Sequence, residues 1–317
     1  MAEGEEPEKE EREEEEEETE GAETEEATEE AEESAESTEE SEETGETVEA
    51  GEGGGGVVES EEYYRIMFPK GKEFRYVFTA LANLLQESNL VIDSEGIKMK
   101  SIDPSKVSLI ILNIPGSSLE EYTVTKELKV GISFDLVKKI LKRVKAREKV
   151  ELGVDMAKNR FFITIYTKKG REGGFYRRFG LPIINIAEEE VPEPKLEYPI
   201  RIRMDMGVFV DVLSAASEIS DSVKLIAKED SFSVLAEGEG GKALETTYSS
   251  SDEVFYEYSV QGSHDATYSV ELLLDFIKPM KQISETVTIE FDNNKPLKLT
   301  MDFAIGSIQF YLAPRVA

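Results

Sequence analysis

Charge is distributed so unevenly along the 317 residues that only part of the chain can form a folded core. Residues 1–62 contain 31 Glu, two basic residues and no aromatic residue, a net charge of −29. The rest of the chain carries only −3 of the total of −32. A segment with so little apolar surface cannot offset its conformational entropy by burial. We therefore expect residues 1–62 to be a disordered acidic tail ending in a Gly-rich linker, Gly51–Gly56.

Residues that the chain lacks exclude several kinds of chemistry. There is no cysteine, which removes disulfides, thiolate nucleophiles and cysteine-ligated metal sites. The single histidine, His264, lies in Gln261–Asp265, which we read as a loop, and no nucleophile motif accompanies it. We therefore predict no enzyme activity, no cofactor and no metal site. No apolar run approaches the length of a membrane span and no signal peptide is recognisable, so no membrane partner is expected.

The same order of helical and strand-like patterns occurs twice in residues 63–317. Helix-spaced apolar stripes begin at Phe74 and Phe134, with strand-like runs between and after them, and the pattern then repeats in the second half. The strand-like segments Val150–Asp155 and Val287–Asp292 lie 137 residues apart, each after the second helical stripe of its half. This constant offset indicates an internal duplication.

The duplicated pattern predicts two α+β domains of similar structure. Each is expected to contain mostly antiparallel strands with two helices on one face of the sheet. We place the N-terminal domain at residues 63–181 and the C-terminal domain at 200–317. Residues 182–199 contain four prolines and an acidic run, a composition typical of an extended interdomain connector.

The outward faces of two predicted helices are poor in carboxylates, although the chain has almost twice as many acids as bases. The first helix, predicted over Phe74–Gln86, has none, and the second has only Asp135. The third helix weakens the pattern because it offers Asp211 and no base, and Pro279 should end the fourth. The composition favours a surface for a polyanion, with an ordinary solvated helix face as the alternative. The candidate cations are Arg75, Lys138, Lys139, Lys142, Arg143, Lys145, Lys278 and Lys281.

Four segments carry a pattern shared with a known family. They are Phe78–Leu85, Asp93–Leu109, Gly131–Lys142 and Phe310–Val316, the last of which reads FYLAPRV. With these segments, residues 63–317 resemble the archaeal and eukaryotic DNA sliding clamps of the proliferating cell nuclear antigen type. The acidic tail has no counterpart in the family pattern.

The resemblance implies a trimer in which three two-domain chains close head to tail into a pseudo-sixfold ring around double-stranded DNA. A closed ring retains DNA by topology, so weak and sequence-independent contacts from a few lysines suffice. The resemblance also implies a processivity factor that tethers DNA polymerase, flap endonuclease and DNA ligase in replication and repair, and that a clamp loader places on DNA. The sequence leaves open a homotrimer or a heterotrimer with related subunits.

The resemblance further implies a hydrophobic pocket beneath the connector that receives a short peptide from partner enzymes. The matching residues are Ile102, Leu109, Val191, Pro296, Tyr311, Leu312 and Ala313.

Ring closure requires two unlike surfaces of the chain to meet. We expect the edge strand Gly173–Phe179 of one chain to pair with Ala243–Ser249 of the next, with Arg177 or Arg178 near Glu245. The alternative is a capped edge in a monomer. The expected interface residues are Phe175, Arg177, Arg178, Phe179, Leu244, Glu245 and Thr247.

Two other classes of function stay open beside the clamp. One is an enzyme that acts on nucleic acid or sugar through paired carboxylates, for which no motif is present. The other is an acidic-tailed binding protein or chaperone for basic proteins. In a clamp, we expect the tail to repel free DNA from the outer surface. The resemblance places the protein in the cytoplasm, associated with the nucleoid, if it is archaeal, and in the nucleus if it is eukaryotic.

Overall fold

The chain folds into two halves that repeat the same order of elements. The computed structural model describes residues 63–167, 176–187 and 194–315, so the predicted tail and Gly-rich linker lie outside the described residues. The helices are α1 (Gly71–Leu84), α2 (Phe134–Leu141), α3 (Met206–Ser217) and α4 (Val270–Met280). No helix in the described ranges has the length and hydropathy needed to cross a membrane.

Among the described residues, nine strands lie in each half and every strand pair is antiparallel. Those of the first half are β1 (Tyr63–Phe68), β2 (Glu87–Ile92), β3 (Gly96–Ile102), β4 (Ser108–Pro115), β5 (Glu121–Tyr122), β6 (Leu128–Ser133), β7 (Lys149–Asp155), β8 (Arg160–Tyr166) and β9 (Tyr176–Pro182). Those of the second half are β10 (Ile200–Asp205), β11 (Ser222–Lys228), β12 (Ser231–Glu237), β13 (Ala243–Ser249), β14 (Phe255–Val260), β15 (Ser263–Ser269), β16 (Thr286–Glu290), β17 (Leu297–Phe303) and β18 (Gly306–Leu312).

The strand order of the first half recurs in the second. The order β5-β1-β7-β8-β9 corresponds to β14-β10-β16-β17-β18, and β4-β3-β2-β6 corresponds to β13-β12-β11-β15. The helices also match, because α1 and α3 follow the first strand of each half while α2 and α4 follow its sixth. The predicted α+β fold with two duplicated domains is therefore confirmed.

The two halves share one sheet, which the sequence did not predict. β18 of the second half pairs with β4 of the first, so that nine strands form the continuous order β14-β10-β16-β17-β18-β4-β3-β2-β6. The register across this junction runs from Ser307 opposite Asn113 to Leu312 opposite Ser108. Because this sheet joins the halves, the domain limits at 181 and 200 stay a prediction.

Aromatic residues fix the helices on the sheets. Phe276 of α4 stacks on Phe310 of β18, with ring centroids 4.4 Å apart and planes 19° apart. Phe74 and Phe78 of α1 stack at 4.5 Å and pack against Phe68 of β1. All five side chains are at most 1% exposed. The helical stripes read from the sequence thus form the core between helices and sheets.

The first helix differs from its prediction at its start and on its outward face. α1 begins at Gly71 rather than Phe74 and therefore includes Glu73, a carboxylate that is only 2% exposed. Ala82 lies outside the apolar stripe that begins at Phe74, yet it is only 8% exposed, because α1 has helices on both sides, α2 and α4. Helix neighbours of this kind leave no trace in the periodicity of a single helix.

Pro279 does not end the fourth helix, which continues to Met280. A proline in a helix leaves the carbonyl four residues earlier without its backbone donor. Here that carbonyl belongs to Asp275, and the Asn83 amide of α1 donates to it at 2.9 Å. The neighbouring helix thus compensates for the missing bond.

His264 lies in strand β15, not in a loop as predicted. Its Nδ1 is 2.7 Å from an Asp292 carboxylate oxygen and its Nε2 is 2.7 Å from the Gln261 carbonyl. β5, β6, β10 and β14 were likewise not foreseen. In β14 and β15 the alternation is carried by polar side chains, which weakens the strand pattern.

We predict that Phe276→Ala lowers the free energy of unfolding by about 3–5 kcal/mol, because it leaves a cavity at the stacked pair. The matched variant Tyr256→Ala truncates an aromatic side chain that is 61% exposed and should cost less than about 1 kcal/mol. Chemical denaturation of the two variants measures both values. Equal losses would contradict this account of the core.

Candidate functional site

The four helices of the described part of the chain form one layer across both halves. α1 contacts both α2 and α4, and α4 contacts α3, which gives the order α2-α1-α4-α3. Polar contacts cross each boundary: Arg75 of α1 donates to the Val144 carbonyl just after α2, and Asn83 donates to Asp275 of α4. Lys281, which follows α4, pairs with Asp211 of α3 at 2.9 Å.

Six of the eight predicted cations form an exposed basic surface on this layer. Lys138 and Lys139 lie on α2, which ends at Leu141, so three of the others lie in the turn after the helix and not on it. None of the six forms an ion pair with another described residue. They are Lys138, Lys139, Lys142, Arg143, Lys145 and Lys278.

The carboxylate of Asp275 lies near cations from both halves of the chain. The pKa of Asp275 is raised, by desolvation first and by the nearby Glu271 next, while Lys138 and Lys278 oppose the rise. Lys138 of the first half and Lys278 of the second therefore both lie close enough to Asp275 to lower its pKa. The layer presents exposed cations from both halves of the chain, an arrangement that suits a polyanion backbone.

Arg75 and Lys281 are less available than the other six cations. Arg75 is half-buried, donates to the Val144 carbonyl at 3.4 Å and lies over the Tyr76 ring. Lys281 is held by Asp211. The third helix thus supplies the partner of a predicted DNA-facing cation.

An apolar row crosses the nine-stranded sheet on the side away from the helices. The register places Ile102 of β3 opposite Leu109 of β4, Leu109 opposite Tyr311 of β18, and Tyr311 opposite Lys298 of β17. Opposed residues in a ladder share a face, and consecutive residues alternate faces. Because Phe310 points at α4, the row that contains Tyr311 lies on the opposite face of the sheet, where Leu109 and Tyr311 are nevertheless buried, at 8% and 5% exposed.

Val107, which the sequence analysis did not single out, is the most open member of this patch. It is 37% exposed, and its carbonyl accepts a bond of 2.8 Å from the Ala313 amide, which places both residues beside Tyr311. Its position two residues before Leu109 in the alternating segment was the available signal.

The remaining predicted pocket residues have different surroundings. The carbonyl of Pro296 accepts a 2.9 Å bond from the Tyr198 hydroxyl, another residue that the sequence analysis missed. Burial, with contributions from Tyr311 and Glu290, raises the pKa of Tyr198, so its hydroxyl stays a donor. Leu312 is 1% exposed and alternates with Tyr311, so it lies in the core beneath the patch. Val191 lies outside the described residues.

Asp103 holds the turn that presents Val107. Its carboxylate accepts bonds from the amides of Ser105, Val107 and Ser108 and from the hydroxyls of both serines. Burial raises the pKa of Asp103, but these hydrogen bonds outweigh it and hold the pKa below its usual value. Lys106 in the same turn has φ of 60°, the left-handed region.

The strands predicted to form a subunit interface are both sheet edges within the described residues. β9 ends the five-stranded sheet and β13 ends the four-stranded sheet. Leu244, Glu245 and Thr247 lie on β13, with Glu245 and Thr247 exposed; Phe179 is half-buried on β9, and Phe175 lies outside the described residues.

Both arginines of β9 already have partners within the chain. Arg177 pairs with Glu148 at 3.0 Å, and Arg178 lies 4.1 Å from the centre of the Phe162 ring and bonds the Tyr63 hydroxyl at 3.0 Å. Their expected approach to Glu245 of a neighbouring chain stays a prediction.

Comparisons with known proteins assign the family. Residues 64–190 match the model of the proliferating cell nuclear antigen N-terminal domain, and residues 192–316 match the model of its C-terminal domain. DNA polymerase sliding clamp 2 of Pyrobaculum aerophilum is 42% identical over 252 residues, which cover 80% of this chain and 98% of that protein. The DNA polymerase sliding clamp of Thermococcus fumicolans is 36% identical over 80% of this chain and 98% of its own length.

Solved structures agree with the sequence relatives. The proliferating cell nuclear antigen of Thermococcus kodakaraensis superposes with a TM-score of 0.72 at 25% identity, covering 80% of this chain and all of that one. A chain of the PCNA2–PCNA3 complex of Sulfolobus tokodaii gives 0.71 at 28% identity, covering 79% of this chain and 99% of that one. The body of this chain, from Tyr64 to Val316, belongs to the proliferating cell nuclear antigen family.

Proposed function

We propose that this chain is a DNA polymerase sliding clamp, a non-catalytic processivity factor that closes into a ring around double-stranded DNA. The observation that carries the proposal is the equivalence between its two free edges and its own internal junction. β9 occupies the place in the first half that β18 occupies in the second, and β13 occupies the place that β4 occupies in the first.

This equivalence predicts how one chain joins the next. β18 and β4 pair within the chain, so β9 of one chain and β13 of another can form the same antiparallel junction between chains. Such an interface joins unlike surfaces and repeats head to tail until it closes a ring or grows into a filament. A trimer of two-domain chains would then contain six similar junctions, three within chains and three between them.

The helix layer suits the inner wall of such a ring. Its six exposed cations attract a phosphate backbone without reading bases, and contacts this few are weak at cellular salt. Weak contacts allow sliding, while closure of the ring prevents escape. The basic surface and the apolar patch lie on opposite faces of the sheet, so DNA and partner proteins do not compete for one surface.

The apolar patch suits a short peptide with a hydrophobic anchor. Val107 is exposed and Ile102 and Pro296 are half-buried, so they offer an apolar surface of the kind that such peptides cover, beside the buried Leu109 and Tyr311. The partners would be DNA polymerase, flap endonuclease and DNA ligase, held near DNA by effective concentration, and a clamp loader would open the ring.

Archaeal relatives support a cytoplasmic location in association with the nucleoid. The Sulfolobus tokodaii complex contains two different clamp subunits, so a heterotrimer and a homotrimer both fit the family. We place the domain limits at 63–181 and 200–317, with the connector between them.

Sedimentation of the purified chain and of two proline variants of β13, Thr246→Pro and Thr247→Pro, tests ring formation. Adjacent residues of a strand direct their N–H groups to opposite sides, and proline has no N–H to donate. One of the two variants therefore loses a hydrogen bond to β12, while the other, the outward variant, loses only a donor on the free edge of β13. The wild type should sediment as a trimer, and the outward variant as a monomer with a near-normal melting temperature.

A mass of one chain for the wild type, at high concentration and with related subunits added, would contradict the ring. So would trimers that persist in both proline variants. Tyr256→Pro on the edge strand β14, which lies outside the proposed interface, serves as the matched control and should leave the trimer intact.

We predict that Asp103→Asn weakens binding of an anchor peptide about tenfold and lowers the free energy of unfolding by about 1.5–3 kcal/mol at pH 7. In the wild type, the N–H and the hydroxyl of Ser105 donate to one carboxylate oxygen of Asp103. In the variant the amide nitrogen of Asn takes the place of this oxygen and cannot accept these hydrogen bonds. Because the folded pKa of Asp103 is lowered, its stabilisation is complete above its ordinary pKa, about 4, and is lost as pH falls.

Denaturation curves from pH 7 to pH 2 and peptide titrations measure both effects. The stability difference between wild type and variant should therefore narrow below about pH 4. Asp302→Asn, on an exposed carboxylate of β17, is the control and should change neither quantity. Unchanged peptide affinity in Asp103→Asn would show that this turn does not shape the patch.

A further inference from the structure

The internal junction between β18 and β4 provides a residue-by-residue template for the contact between two chains. On one side of that template, β9 corresponds to β18. Leu152 and Ile289 occupy the same place in the duplicated strands β7 and β16, 137 residues apart. Two steps across the ladder lead from Leu152 to Phe179 of β9. The same two steps lead from Ile289 to Phe310 of β18, so Phe179 takes the place of Phe310.

The other side of the template matches β13 to β4 in the same way. Val130 and Ala266 each lie four residues before the second helix of their half. Three steps across the ladder lead from Val130 to Leu112 of β4. The same three steps lead from Ala266 to Thr246 of β13. Thr246 therefore takes the place of Leu112.

Together, the two matches fix a register for β9 of one chain against β13 of another. In the internal junction, Phe310 lies opposite Ile110, two residues before the position that Thr246 matches. Phe179 of one chain therefore lies opposite Leu244 of the next. The full register is Tyr176 opposite Thr247, Arg177 opposite Thr246, Arg178 opposite Glu245, Phe179 opposite Leu244 and Gly180 opposite Ala243.

This register gives each face of the junction a suitable pair. Phe179 and Leu244 are both half-buried against the core of their own half, so they meet on the helix side of the sheet. Arg178 and Glu245 meet on the outer side with opposite charges. A shift of two residues places Phe179 opposite a lysine or a threonine and Arg178 opposite an alanine or a threonine. A shift of one residue turns the apolar residues toward the wrong face.

Arg178 is oriented for such a contact before a second chain arrives. Its guanidinium lies 4.1 Å from the centre of the Phe162 ring, and its Nη2 donates to the Tyr63 hydroxyl at 3.0 Å. Its Nε has no hydrogen-bond partner among the residues that the structure describes. A guanidinium has five N–H donors, so it can accept a carboxylate and keep the bond to Tyr63.

The charges of the two strands also distinguish Arg178 from Arg177. Arg177 lies on the helix side, where Glu148 already pairs with it at 3.0 Å. Within the described ranges, the exposed Glu245 has no cation within ion-pair distance. The pair that an assembled junction completes is therefore Arg178 with Glu245.

We propose that Arg178 of one chain pairs with Glu245 of a second copy of this chain, in the register of the internal junction. The inference rests on the proposed ring and adds to it the residues that meet and the partner that fits them. Backbone pairing and the apolar pair supply most of the affinity, while the ion pair penalises a neighbouring strand that carries a cation in place of Glu245. Because one chain carries both members of the pair, it is complementary to itself and forms a homotrimer.

Disulfide trapping in the full-length chain tests the register. The chain has no cysteine, so Tyr176→Cys/Thr247→Cys introduces its only thiols. Opposed residues of a ladder lie close enough for a disulfide, whereas residues two positions out of register do not. Tyr176→Cys/Ser249→Cys is the out-of-register control. Ser307→Cys/Asn113→Cys, the matching pair of the internal junction, is the positive control.

Mild oxidation should join the Tyr176→Cys/Thr247→Cys chains into covalent trimers, seen by non-reducing electrophoresis. Thiol loss in this variant should be about as fast as in the positive control, since both pairs are opposed in the same kind of ladder. Thiol loss in the out-of-register control should be slower by about tenfold or more.

Charge reversal tests the ion pair itself. Glu245→Lys places two cations opposite each other and should raise the dissociation constant of the trimer about tenfold, with a smaller rise at high salt. Arg178→Gln/Glu245→Lys should recover most of this loss, which a purely structural role of Glu245 would not produce. Thr247→Lys, on the same face of β13 but opposite Tyr176, is the matched control and should change little. Sedimentation over a range of concentrations measures all four proteins.

The possible failures separate this pairing from the ring. Wild-type trimers with fast trapping only in the out-of-register variant, or Glu245→Lys trimers as stable as the wild type, would overturn the pairing and leave the ring intact. Rings that form only with related subunits would overturn self-complementarity. A chain that forms no ring alone or with related subunits would remove the proposed ring together with this inference.

Discussion

Antiparallel pairing between β18 and β4 is the contact on which the rest of the structure depends. It joins a five-strand unit of the second half to a four-strand unit of the first and so makes one nine-stranded sheet from a duplicated sequence. The equivalent strands β9 and β13 are left as edges. A duplication that satisfies one junction internally necessarily leaves one pair of complementary edges for another copy, and this asymmetry favours head-to-tail assembly.

The two faces of the same nine-stranded sheet carry different surfaces. Its side chains alternate, so Phe310 anchors α4 while the neighbouring Tyr311 contributes to the outward apolar patch. The helix layer carries the basic surface, and the opposite face carries the patch. A protein that holds DNA on one side and partners on the other needs no motion to serve both, because neither ligand occupies the surface of the other.

Periodicity predicted much of this fold, because burial of one face leaves a repeating mark in the sequence. The helical stripes at Phe74 and Phe134 and the strand Ala243–Ser249 lie where they were expected. Contacts between elements left no such mark. Neither the burial of Ala82 between helices nor the compensation of Pro279 by Asn83 could be read from one helix alone.

The candidate site, too, could be predicted from the sequence only in part. The exposed lysines could be read from composition, and the patch from resemblance to a family, but the alternation of Leu312 with Tyr311 required the register of β18. Alternation from Leu109 could have indicated the face on which Val107 lies, but the exposure of Val107 depends on the turn that Asp103 holds.

Retention of the protein on circular and linear DNA tests the central claim most directly, since a ring holds DNA by confinement and not by adhesion. The full-length chain, with any related subunits it requires, is loaded onto a circular plasmid by its clamp loader, and half of the sample is then cut once with a restriction enzyme. After a wash in high salt, the account predicts that the intact circles keep the protein and the linear molecules lose it from their ends. Equal loss from both forms would contradict it.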